Sequence, residues 1–64
     1  MDRDTRDLID QLCTQAGMIM EDCSTAFLTT RRIDDEEIPR LLQDLAGEAA
    51  KVRDLVNAAI ALSK

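Results

Sequence analysis

An all-α antiparallel two-helix hairpin is the fold this 64-residue sequence predicts. Three observations carry it. The first half repeats apolar residues every seven positions in three columns: Ile9, Ala16, Cys23 and Thr30; Leu12, Ile19 and Ala26; Cys13, Met20 and Phe27. The second half repeats the pattern with Ile38, Leu45, Val52 and Ala59; Leu41, Leu55 and Leu62; Leu42, Ala49 and Val56. In heptad letters the columns are a, d and e, the width a helix needs to pack on other helices. Between the halves lies one short connection near Arg31 to Asp34, and the only proline, Pro39, follows close to the start of the second half.

The first helix is expected over about residues 4–30. Asp2 or Asp4 can cap it, and Asp7 stands three residues after Asp4 as in a capping box. Acidic residues crowd its first turns, and Arg31 and Arg32 follow its end, both in accord with the helix dipole. Arg3 with Asp7 and Arg6 with Asp10 have the i,i+4 spacing of ion pairs. The turn is expected at about 31–34.

The second helix should cover about 35–62. Asp34 and Glu37 have capping-box spacing, and Ile33 and Ile38 have that of a hydrophobic staple. Pro39 would then sit one turn inside the helix, where it loses a hydrogen bond and crowds the preceding turn. A distorted or 3₁₀ first turn resolves the conflict. Glu36 and Arg40 form another i,i+4 pair. Gly17 and Gly47 stand near the middle of each helix, at similar levels of the hairpin. With Ala16, Ala46, Ala49 and Ala50 they could make a zone of close helix approach, or a partner contact. A break at Gly47 would give three helices instead, but the stripe stays in phase across it, which favours one continuous helix.

A chain this short forms one domain and buries little surface. Phe27 is its only aromatic residue. A stripe three columns wide is broader than the single seam between two helices. The second side of each stripe is therefore expected to be covered by another chain, most simply in a homodimeric four-helix bundle. The nineteen column residues other than Thr30 are the expected core and oligomer interface.

The net charge of −5 argues against broad attraction to nucleic acid or anionic membrane. Asp2, Arg3 and Asp4 follow Met1 at once, with no apolar segment of the kind an export signal needs, so a cytoplasmic location is expected. Two unpaired cysteines agree with it.

Candidate chemistry is sparse, and no enzymatic activity or cofactor is expected. There is no histidine, and two cysteines cannot assemble a usual zinc site within one chain. Cys13 and Cys23 stand about 15 Å apart along a helix, too far to bridge each other. They read as small buried hydrophobes, or as interchain partners if two first helices pair antiparallel about Met18. Glu48 is the one charge on the apolar stripe, at a d position between Leu41 and Leu55. It either reaches toward Lys51 and solvent or acts as a register device at the seam. The acidic run Asp34–Glu37 lacks the ligand spacing of a calcium loop and reads as helix-capping charge. Met18 lies off the stripe beside Gly17 and is a candidate partner contact.

In length and layout the chain resembles the Rop family of plasmid copy-number regulators, helical hairpins that dimerise into four-helix bundles and bind RNA loops. The likeness is architectural, covers both helices and shares no motif, so no functional residue carries over from it. The expected function is a small non-enzymatic interaction module (an adaptor, regulator or assembly subunit) acting as a homo-oligomer or on a helical protein partner. RNA binding by a dimer of Rop-like architecture is one alternative. An acidic inhibitor that occupies a nucleic-acid-binding surface of another protein is the second.

Overall fold

Two α-helices, α1 (Arg3–Leu28) and α2 (Ile38–Ser63), are joined by two 3₁₀ turns at Thr30–Arg32 and Asp35–Glu37 in the computed structural model, which describes residues 1–64. There is no strand, and α2 runs through Gly47 without a break.

The N-terminus of α1 is capped by Asp2, whose Oδ1 accepts from the Thr5 amide at 2.8 Å and whose Oδ2 accepts from the Thr5 hydroxyl at 3.0 Å. Asp4 lies inside the first turn, so the Asp4–Asp7 box does not form. The Thr5 amide bond, followed by the hydroxyl bond, holds the Asp2 carboxyl below its ordinary value of 3.8. A carboxylate depressed by folding stabilises the fold above its unfolded pKa and loses that contribution as pH falls through its folded pKa. Acidification below 3.8 is therefore expected to fray the first turn, read by NMR as a shift of the Thr5 amide. Asp2→Asn, which keeps an acceptor, should abolish that pH dependence. A Thr5 amide unmoved over the same range in the unsubstituted protein would refute the cap.

Regular α-helix stops at Leu28, and two threonines follow. The Thr29 amide is shared between the Thr25 and Ala26 carbonyls, both at 3.2 Å. The Thr29 hydroxyl donates to the Ala26 carbonyl at 2.8 Å, and the Thr30 hydroxyl to that of Phe27 at 2.9 Å. These local bonds satisfy the last carbonyls and tighten the chain into a 3₁₀ turn. Ile33 and Asp34 are extended and reverse the direction of the chain.

The second 3₁₀ turn is the distorted entry that Pro39 demands. The Glu37 amide donates to the Asp34 backbone carbonyl at 2.9 Å. The amide a capping carboxylate would have taken is thus already bonded, and the Asp34 side chain makes no cap bond. Regular helix begins at Ile38 and puts Pro39 in the first turn of α2, where a missing donor costs nothing.

The two helices pack along their a and d columns. Ala16, Leu45 and Ala59, all at a, are the three buried residues. Ile9, Leu12, Ile19, Cys23, Ala26, Ile38, Leu41, Val52 and Leu55 are half-buried around them. The result is a single layer: the Cα atoms span 50 × 15 × 10 Å, and the radius of gyration is 15.1 Å, against about 11 Å for a compact chain of this length. No helix is long and apolar enough to cross a membrane.

Gly17 and Gly47 do not meet the opposite helix. A Cβ added at either would have nothing within 4 Å, and neither has positive φ. Of the small residues expected to form a close-approach zone, Ala16 is buried and Ala50 half-buried, while Ala46 and Ala49 are exposed. With open space on c, away from the seam, Gly47→Ala is expected to raise stability by about 0.5–1 kcal/mol through helix propensity. Urea melts followed by circular dichroism would check this, and a loss of stability would mean that a second chain packs there.

Candidate interaction surface

The e columns are where the apolar pattern exceeds the seam. Four residues advance a helix by about 400°, so e stands about 40° round from a, on the side away from d. In an antiparallel pair both e columns then flank the same side of the seam. The exposures agree: Met20 is 59%, Phe27 54%, Leu42 51% and Val56 43% accessible, and Cys13 and Ala49 are exposed beside them. These six residues extend the apolar stripe onto one flat face of the hairpin.

That face carries an open groove of about 470 Å³ lined by Met20, Cys23, Ser24, Phe27 and Leu28 of α1 and by Leu45, Ala49 and Val52 of α2. Its floor is the a residues Cys23, Leu45 and Val52, and its walls are the e residues. Ser24 and Leu28 fall outside the three apolar columns. The signal that could have found Ser24 is the neighbouring b column, where Gly17, Ser24 and Ala46 are all small.

Charge divides the two sides of the layer. Within the helices, the b and e positions hold four charges, Arg3, Arg6, Asp10 and Arg53. Arg6 Nε donates to Asp10 Oδ1 at 3.0 Å, and Arg53 lies 3.3 Å from Asp54. The hydrogen bond to Asp10, then its charge, pushes the Arg6 pKa up, so this cation persists throughout the working pH range. The opposite side, at c and g, is mostly polar, with Leu8 exposed on it. It carries Asp4, Asp22, Asp44 and Asp54 against Arg40 and Lys51, with Gln11 and Gln15 between. Met18 sits at c on this polar side and is exposed. The Arg3–Asp7 and Glu36–Arg40 spacings do not close into ion pairs.

Glu48 is half-buried at the seam edge, its side chain 40% accessible, and Oε1 accepts from Lys51 Nζ at 3.0 Å. Its d position thus faces the polar side, and its charge is met locally. Glu48→Leu should extend the seam between Leu41 and Leu55. The exchange removes an exposed pair of little worth and adds apolar burial, so a gain of up to about 1 kcal/mol is expected in urea melts. A clear loss would show that the Glu48–Lys51 pair holds the seam in register.

Cys13 is exposed, Cys23 is half-buried on the groove floor, and both are free. Nowhere do three or more cysteine or carboxylate side chains converge as a metal site. Leu62 is the most exposed member of the d columns. It lies at the open end with Met1, Asp2, Thr5, Ser63 and Lys64. These neighbours, with Met20 and Ala49 lining one groove, give the hairpin register: residues whose numbers sum to about 66–69 stand at about the same level.

Comparison with family models, with curated proteins and with solved structures finds no match.

Proposed function

We propose that the chain is a small non-enzymatic interaction module whose working form is a homo-oligomer, most simply a dimer closing into a four-helix bundle. One quantity carries the reading. The single chain exposes 5278 Å², whereas a compact monomer of 7.1 kDa exposes about 4,100 Å². The excess of about 1,200 Å² per chain corresponds to about 2,400 Å² in a two-chain assembly, within the range of obligate homodimers.

The physical need behind this excess is a missing layer. Stable domains bury one layer of structure against another, and this hairpin is one layer with an apolar face. A second layer would cover the e columns and leave the c, f and g positions outward. Those outward faces are mostly charged and polar, with Leu8, Met18 and Leu28 exposed among them, a mixture suited to contacts with another protein in an adaptor, regulatory or assembly role. A cytoplasmic setting fits two free thiols.

The test is mass in solution by light scattering after size exclusion, over a wide dilution range, with and without reductant. Refractive-index detection is needed because the chain has no Trp or Tyr. A two-chain mass in reductant that survives dilution to micromolar concentrations supports the reading. A monomer at all concentrations would overturn it.

A further inference from the structure

From the spacing of the exposed columns and the charges around them, we infer that a second copy of this chain seats on the apolar face with its turn at the opposite end, the two copies related by a two-fold axis through the level of Met20 and Ala49. The inference rests on the homo-oligomer reading and adds its geometry.

Each e column has three apolar members seven residues apart, and their middle members, Met20 and Ala49, both line the groove. A two-fold axis lying between the layers at that level, across the helices, maps both columns onto themselves. Met20 meets Met20 of the second copy, and Ala49 meets its own counterpart. Phe27 falls on Cys13 and Leu42 on Val56. The large member of each outer pair is therefore met by a smaller one. The two outer layers then hold the same set of side chains, which keeps the interface parallel-sided. Pairing with both turns at the same end instead gathers two Phe27 and two Leu42 in one layer. It leaves two Cys13 and two Val56 in another, so the interface would be wedge-shaped.

Charge leans the same way. The run Asp34, Asp35, Glu36 and Glu37 is exposed at the turn. On the apolar face the opposite end of the hairpin presents Arg3 and the ion pair of Arg6 with Asp10, while Asp4 and Asp7 fall at c and f. Reversing the second copy brings Arg3, Arg6 and Lys64 of one chain to the level of the acidic run of the other. Same-end pairing would set acidic run beside acidic run, a like-charge contact that Arg31, Arg32 and Arg40 at each turn offset only in part. The register also moves Cys13 one turn away from Cys23 of the second copy. Oxidation is thus expected to leave the dimer without a covalent link between these two.

The test measures the distance between turns. A spin label on Asp34→Cys, in a Cys13→Ser, Cys23→Ser background shown to be helical and dimeric, is read by double electron–electron resonance. Opposite-end pairing predicts a separation of about 40 Å or more, from about 14 residues at 1.5 Å on each side of the axis. A separation under about 25 Å, less than one helix length, would overturn the arrangement while leaving the homo-oligomer intact. An unsubstituted protein that is monomeric by light scattering removes both. Carbodiimide cross-linking of the unsubstituted chain needs no substitution. Links from Lys64 to Asp34–Glu37 are expected in the dimer band, and within one hairpin 50 Å long the two ends cannot meet. A dimer band whose Lys64 links reach only the terminal carboxylates of the other copy would refute the arrangement independently.

Discussion

Leu45→Ala is expected to destabilise the protein by about 2–4 kcal/mol, the largest effect of any single truncation in the seam. Leu45 is 7% accessible and is the one large side chain among the three buried residues. It stands at a in α2, on the floor of the groove, where it is covered by its own α1. The other two buried residues are alanines, so no buried neighbour of similar size can move in to fill the space a leucine vacates. Removing three carbons leaves a hole beside the open groove, which can relax partly by filling with water and so keeps the cost below the top of the usual range. A domain of this length rarely holds more than about 3–5 kcal/mol. The variant should therefore be substantially unfolded under conditions where the unsubstituted chain is helical. Circular dichroism through a urea titration checks this, with Met18→Ala as the comparison. Met18 is exposed on the polar side, and its truncation should move the transition by less than about 0.5 kcal/mol. Equal effects at Leu45 and Met18 would mean that the seam does not hold the hairpin together.

The hairpin itself was legible because a seven-residue apolar repeat specifies both the element and its inward face. The same repeat in both halves, kept in phase through Gly47, pointed to a continuous α2. Pro39 announced the 3₁₀ entry, since a fixed φ and a missing donor fit only the first turn of a helix. Local polar detail was less legible. Asp2, Asp4 and Asp34 are alike as sequence signals, yet only Asp2 caps. Which carboxylate wins depends on whether a backbone carbonyl has already taken the target amide, as the Asp34 carbonyl takes that of Glu37. α1 ended two residues early, where the Thr29 and Thr30 hydroxyls take carbonyls of its last turn, a local detail that no apolar pattern encodes. Division of the stripe into a seam and a free face was legible only as an excess of width. That both free columns fall on one side follows from the hand of the helix and the antiparallel pairing. That they are the e columns shows only in the exposure of Met20, Phe27, Leu42 and Val56 while a and d close.

Met20→Asp and Met18→Asp, the same change two residues apart, should have opposite consequences under the proposed dimer. Both side chains are largely exposed in one hairpin, Met20 on the apolar face and Met18 on the polar side. In an isolated chain the two substitutions would therefore cost similar, small amounts, mostly helix propensity. In the proposed assembly Met20 lies on the two-fold axis, so each dimer would carry two aspartates against each other in a dry layer. Each carboxylate would lose water without gaining a partner, and the pair would repel. The dissociation constant is expected to rise at least 100-fold, about 2.7 kcal/mol. At working concentrations Met20→Asp should elute with the mass of one chain and lose helicity on dilution, while Met18→Asp keeps the two-chain mass. Because the effect depends on two ionised groups, lowering the pH below the ordinary carboxylate range should restore part of the association of Met20→Asp by protonating them. Acid should not strengthen the unsubstituted protein in the same way, since it carries no carboxylate at that level of the face. Equal dilution behaviour of the two aspartate variants would place any interface elsewhere, and remove the apolar face as the joint between copies.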